Sequence, residues 1–418
     1  MELWTIIFIA ALAMATAMEG YLGFRQRIFV LKYRGVVPSR FASLVDLAAH
    51  QKAADYTLAK QQQGVWGQAL AVFLLLFWTI GGGLNALDHA ITAMDYSPWL
   101  TGVVLMLAFF VISSLLHAPL DAWATFGIET RFGFNKSTWQ LYLVDHIKQL
   151  LLLVLIGAPL IALILGLMQE FGSLWWLYAW LVWTAFSLLM MWAFPTWIAP
   201  LFNRFEPLEE GEARTRIEAL LERCGFACDG LFVMDGSRRS AHGNAYFTGM
   251  GKSKRIVFFD TLLKTLTIDE AEAVLAHELG HFHHGHVKKR IVNMILFSLL
   301  GFALLGWLMQ QAWFYSGLGI DSPSHYTALL LFMLVLPVFS SWFSPIMNKM
   351  SRKHEFQADA YACKHSSGDA LTQALTKLYR DNAATLTPDP WYSAWHDSHP
   401  PAPIRIDEII RRSSSESS

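Results

Sequence analysis

The sequence predicts a multi-pass α-helical membrane protein of seven transmembrane helices, with an α+β domain on its cytoplasmic side. Three observations carry that expectation. The chain is 54% hydrophobic and 16% charged, where an ordinary soluble domain is roughly 25% charged. Apolar runs that meet the bilayer requirement of about 20 helical residues occur at 3–24, 65–87, 99–118, 149–169, 174–195, 291–313 and 326–347. Between them, lysine and arginine crowd into alternate connections.

The first run has no basic flank ahead of it and no small-residue cleavage site, so it reads as a retained span rather than a signal peptide. Burial inside a soluble protein would explain one such run, not seven. The 25–64 connection carries Arg25, Arg27, Lys32, Arg34, Arg40, Lys52 and Lys60, and the 119–148 connection carries Arg131, Lys136 and Lys148. Connections 88–98, 170–173 and 314–325 carry neither residue type. Basic residues stay on the cytoplasmic side, which sets the N-terminus outside and the 196–290 segment and the C-terminus inside. Seventeen tryptophans suit aromatic belts at the two membrane surfaces.

With a net charge of −1 there is no electrostatic case for nucleic acid. Cys224, Cys228 and Cys363 are too few for a disulfide framework and read as free thiols in a reducing compartment. The chain divides into an N-terminal transmembrane region of five spans (1–195), a cytoplasmic segment (196–290), a transmembrane hairpin (291–348), a second cytoplasmic segment (349–412) and a low-complexity, disordered tail (413–418).

In 196–290, "EGEARTRIEALLERCGF" is an amphipathic helix with Ile217, Leu220 and Leu221 on one face. "LFVMDG", "NAYFTG" and "RIVFFD" are short strands. "TIDE" forms a capping box, Thr267 with Glu270, that starts the next helix. That helix holds "LAHELGHFHHGH" at 275–286. His277 and His281 lie four apart on one face, so both imidazoles reach one ion. Glu278 is rotated by about 100°, able to approach a bound water and take its proton without ligating the metal. This is HExxH, the mark of a zincin-like metalloprotease domain. His284 returns to the ligand face but lies about 10 Å along the axis from His277, too far for zinc–nitrogen bonds of about 2.1 Å. His283, His284 and His286 therefore read as polar contacts at the helix end.

A catalytic zinc needs a third protein ligand and an open fourth position. The helix of His281 runs through "VKKR" into the sixth span, and the hairpin returns the chain to the same side near 348. There "MSRKHEFQADAYACK" sets Glu355 and Asp359 on one helix face. Glu355 can supply the third ligand and Asp359 can orient a ligand imidazole.

Together with "HELGH" and "EFQADAYA", the segments "IETRFGFNKST", "PLFNRFEPL", "DGSRRSAHGNAYFTG", "KRIVFFDTLL" and "HPPAPIRI" give a chain that resembles the type I CAAX prenyl endopeptidases, integral-membrane zinc metalloproteases. The resemblance spans about residue 25 to 412. It implies a barrel of seven helices around a water-filled chamber, closed at its cytoplasmic end by the zinc domain, with one zinc ion per chain. It also implies cleavage near the C-terminus of prenylated CAAX proteins, and on the N-terminal side of some substrates. By matching position Glu355 is the third ligand, Asn244 lies on the strand that lines the substrate, His399 faces the site, and Arg405 is nearby as a second substrate-binding residue. His399 would donate to the oxyanion of the tetrahedral intermediate. The chain lacks a dibasic retrieval ending and its loops are short, which points to a bacterial homologue in the inner membrane (the endoplasmic reticulum if eukaryotic). The partners implied are the bilayer and a peptide or protein substrate, lipidated or membrane-associated.

Two other readings exist. Heat-shock-type membrane quality-control proteases share HExxH but are shorter, with fewer spans and no "FGFNKST". A transporter or receptor with structural zinc would close the site with four protein ligands, often cysteines; no cysteine accompanies HExxH, and Glu278 would be idle. Finally, "NAYFTG" reads as an open edge strand onto which an extended substrate could add antiparallel along 244–249, with Asn244 in contact.

Overall fold

The computed structural model describes residues 2–248 and 254–416, with side chains to 412. Apolar segments in a bilayer must satisfy their own backbone groups, so each becomes a helix. The N-terminal half is built from α1 (Leu3–Tyr33), α2 (Leu47–Trp78), α3 (Gly83–Thr92), α4 (Pro98–Glu129), α5 (Trp139–Glu170) and α6 (Gly172–Leu201). Among the described residues six helices are long and apolar enough to cross a membrane, or seven if α2 and α3 form one span bent by 53°. The expected second span, 65–87, straddles that bend. Its cause is "TIGGG" at 79–83. Gly82 takes φ +79°, and a Cβ on Gly83 would meet the Phe77 ring at 2.7 Å, so no continuous helix passes. Phe8, Trp78, Leu84, Met106, Leu165 and Leu330 are buried between the helices, while Leu163, Leu181 and Leu300 face outward, the pattern lipid-facing helices require.

A second core forms where the chain turns polar. Helix α7 (Glu212–Arg223) buries Ile217, Leu220 and Leu221, as its periodicity predicts. These side chains share one apolar core with Leu231, Ile256 and Phe258 of a sheet of order β1-β2-β4-β3, made of β1 (Phe205–Pro207), β2 (Gly230–Met234), β3 (Ala245–Thr248) and β4 (Arg255–Phe259). β2 and β4 are parallel, and the other two pairs are antiparallel. β1 was not expected; it is three residues long and ends on a proline, tolerated because it lies at a sheet edge. β3 is the opposite edge, with Gly249 outside the described residues.

Helix α8 (Ile268–His283) starts at the expected capping box: Thr267 Oγ1 accepts from Glu270 N–H, and Glu270 accepts from Thr267 N–H at 2.8 Å. It does not run on into the membrane. Gly285 at φ +65° breaks the chain into a new helix, α9 (His286–Leu308). Helix α10 (His325–His365) returns and lays its last turns along α8. Helices α11 (Gly368–Asp381), α12 (Pro390–His396) and α13 (Ala402–Glu416) complete the domain. The backbone of α13 carries helix into the tail expected to be disordered, and residues 417–418 lie outside the described part.

Candidate metal centre

Helices α8 and α10 come closer than side chains normally allow because Gly280 lies at their crossing. A Cβ there would sit 2.8 Å from Ala358 Cα and 3.0 Å from Ala358 O. This approach brings His277 and His281 of α8 against Glu355 of α10. One ligand atom from each of the three lies within 4.8 Å of the others. His277 Nε2 is 3.4 Å and His281 Nε2 3.3 Å from the Glu355 carboxylate. Glu355 is 3% exposed, and its Oε2 is buried without a hydrogen bond. Two imidazole nitrogens and a carboxylate with an unsatisfied buried oxygen fit a divalent metal with one position left open.

The ligand-bearing rings are held from behind. His277 Nδ1–H donates to Asp359 Oδ1 at 2.8 Å, which leaves Nε2 free to ligate. Asp359, fully buried, accepts two bonds from Arg405: Nε at 2.9 Å and Nη2 at 2.6 Å. Arg405, expected near the substrate, thus commits two of its nitrogens to Asp359, while Nη1 lies 3.6 Å from Glu355. Burial opposes charge on His277, the Asp359 and Glu355 carboxylates favour it, and the balance pushes its pKa up to about 9.

His281 has its own support, from a residue that sequence reasoning set aside as a helix-end contact. His281 Nδ1 is 2.9 Å from His286 Nδ1, and His286 Nε2 is 2.9 Å from Gln357 Oε1. One proton assignment serves the whole row: His281 donates to His286, and His286 donates to the Gln357 carbonyl. His286 is buried and stacks on His354 at 4.0 Å. The break at Gly285 is what turns His286 back toward His281; a straight helix cannot, so the sequence pattern hid it.

A cavity of about 190 Å³ opens over this group, bordered by Asn244, Glu278, His399 and Asn382. His399, 63% exposed, reaches to 3.4 Å from Glu355. Asn244 Oδ1 accepts from Ala245 N–H at 2.9 Å. Asn382 was not singled out in the sequence. Its side-chain amide brackets Gly243, accepting from Gly243 N–H at 3.1 Å and donating to Gly243 O at 3.3 Å. It thereby fixes the chain just ahead of β3. Its partner lies 139 residues away, so no local pattern could reveal it. His242 continues this contact toward the membrane helices: Nδ1 is 3.2 Å from Asn382 Oδ1 and Nε2 3.4 Å from Glu129, which accepts from Tyr56.

His242 also borders two larger cavities. One of about 1180 Å³ lies along α1 and α2 and reaches Asn382. The other, about 600 Å³, lies along α4 and α5 and is lined by His117, Asp121, Asp145 and His146. Ionisable groups on apolar helices are costly unless they face water or protein, and here His117, Asp121, Asp145 and His146 face a cavity rather than the apolar packing between the helices.

Residues 26–204 match the family described as CAAX prenyl protease N-terminal, five membrane helices, and residues 207–413 match peptidase family M48. CAAX prenyl protease 1 of Saccharomyces cerevisiae is 34% identical over 97% of this chain and 95% of its own length. The Homo sapiens homolog of CAAX prenyl protease 1 is 30% identical over 94% and 92%. The crystal structure of S. mikatae Ste24p superposes with a TM-score of 0.91 at 32% identity, covering 98% of this chain and 99% of that one. A match that includes the five-helix N-terminal half favours this relationship over the heat-shock-type and non-enzymatic readings.

Proposed function

The chain belongs to peptidase family M48, in its CAAX prenyl protease branch, and on that premise we propose that it is a zinc endopeptidase for membrane-tethered or lipidated peptides. It is a multi-pass membrane metalloprotease. The observation that carries the finer reading is the His277–His281–Glu355 group with Glu278 on the wall of the same cavity.

We assign one zinc ion per chain to His277, His281 and Glu355; when bound it polarises the scissile carbonyl and acidifies a water. The remaining chemistry belongs to side chains. Glu278 takes the proton of the attacking water and passes it to the leaving amine. His399 donates to the oxygen that gains charge. Asp359 holds His277 in the ligating tautomer, and Arg405 holds Asp359. The substrate lies extended and antiparallel along the open edge of β3, with Asn244 donating to a substrate carbonyl; the edge position of β3 supports this. The basic connections support an outside N-terminus and a cytoplasmic site. Short loops support a bacterial inner membrane. The two largest apolar cores support treating 1–195 and the 291–348 hairpin as membrane parts, with 196–290 and 349–412 as one protease domain, while two smaller clusters join Phe41 and Phe134 of the first region to Ile406 and Ala383 of the last.

The test is cleavage of a farnesylated CAAX peptide and its unprenylated counterpart by purified protein, with metal content measured in parallel. The expected result is one zinc per chain, loss of activity with a chelator, and faster cleavage of the lipidated peptide. Equal rates on both peptides would remove the lipid preference; activity that survives metal removal would remove the mechanism. Glu355→Ala that keeps full zinc and full activity would make Asp359 the next candidate ligand.

A further inference from the structure

On the face of α8 turned away from the metal centre, a separate cavity of about 390 Å³ lies where the protease domain meets the first turn of α9. Its inner wall is apolar, with Leu279, Phe282, Ile291 and Tyr361. Its charged lining residues are Lys254 and Lys288, and no described lining residue is acidic. Lys254 Nζ is held 4.2 Å from the Phe226 ring centre and 5.2 Å from that of Phe282, so aromatic faces position it, and no carboxylate among the described residues pairs with it. Lys288 is exposed and has no ion-pair partner among the described residues.

Lys288 also begins a ridge. At four-residue spacing along α9 follow Val292, Leu296, Leu300 and Leu304, exposed by 53%, 52%, 64% and 41%, one continuous row on a helix surface. Cations at the head of an apolar row that descends a membrane span match an amphiphile with an anionic head and acyl chains. We propose that this cavity is a binding site for an anionic phospholipid, its phosphate between Lys254 and Lys288 and a chain along the α9 ridge. Free phosphate shares the head chemistry but cannot use the ridge.

The test uses full-length protein in detergent micelles, titrated with phosphatidylglycerol and with phosphatidylcholine of the same chains and read by native mass spectrometry. Wild type should retain phosphatidylglycerol preferentially. Basic residues at a membrane surface contribute about 1 kcal/mol each, so Lys254→Gln and Lys288→Gln should each weaken it about fivefold and together about 30-fold. Lys289→Gln, one position on and outside the lining, should leave it unchanged. An equal loss with Lys289→Gln would mean a diffuse basic surface and overturn the site. So would wild type without preference. Glycerophosphate binding as tightly as the lipid would overturn the role of the ridge. Unfolding midpoints in phosphatidylcholine micelles check that each variant is folded.

Discussion

Replacing Gly280 with alanine tests whether the metal centre depends on how closely two helices meet. The added Cβ would lie 2.8 Å from Ala358 Cα, with Ala358 O and Tyr361 Cβ each at 3.0 Å, where ordinary contact starts at 3.4 Å. Two of these atoms are backbone, so no side chain can rotate away, and α8 and α10 must separate by about 0.6 Å. Metal–ligand distances tolerate about 0.2 Å. His277 and His281 ride on one helix and Glu355 on the other, so the separation falls directly on the ligand set. Overpacking of this kind costs about 1–3 kcal/mol, which corresponds to roughly fivefold to 150-fold in zinc affinity if the site bears all of it. The assay is zinc competition against a fluorescent chelator, with peptidase turnover at saturating zinc alongside. Gly301→Ala is the control, since the nearest atom to its Cβ is Phe332 Cζ at 3.9 Å, and both quantities should stay at wild type. Gly280→Ala with wild-type zinc affinity and turnover would refute the reasoning.

Four further outcomes are expected. Glu278→Gln should keep zinc while hydrolysis falls about 100-fold or more; turnover within a few-fold of wild type would take Glu278 out of the reaction. Asp359→Asn should lower zinc affinity about 10- to 100-fold by loosening the His277 ring, and unchanged affinity would reduce the Asp359–Arg405 pair to a structural contact. His399→Ala should leave zinc in place and lower kcat more than it raises KM, by up to about 3 kcal/mol of barrier; an unchanged kcat would make His399 structural. Because the metal-free His277 pKa is raised to about 9, its ring is protonated below that pH and zinc must displace the proton. Affinity should therefore fall by about tenfold per pH unit as pH drops from 8 to 6. A flat profile, measured by calorimetry in two buffers, would contradict the ion-paired state of His277.

Short-range regularities made much of this molecule legible in advance. The apolar windows follow from local runs of hydrophobic residues alone. The pairing of His277 with His281 follows from four-residue spacing, and the capping box from three. Backbone breaks were harder. The glycines at 81–83 lie inside an apolar window, and a hydropathy average passes over them, although they bend the second span. Gly285 was passed over in the same way, and with it the return of His286 onto His281. Glu355 needed topology: only the hairpin tells a reader that residue 355 comes back to residue 277. Asn382 had no signal at all, because hydrogen bonds to a distant backbone leave no pattern in either segment. Gly280 sits in plain view inside "HELGH", yet its reason for being there is the neighbouring helix.

The residues gathered around the small cavity come from both sides of the α9–α10 hairpin. This has a consequence for biogenesis. As the chain is synthesised from its N-terminus, the segment with His277, Glu278 and His281 is finished while Glu355 and Arg405 are still untranslated. The hydrolytic apparatus cannot be assembled until two more spans have been threaded into the membrane and the chain has come back. On the proposed ligand set, the metal site is therefore complete only once the α9–α10 hairpin has brought Glu355 back beside His277.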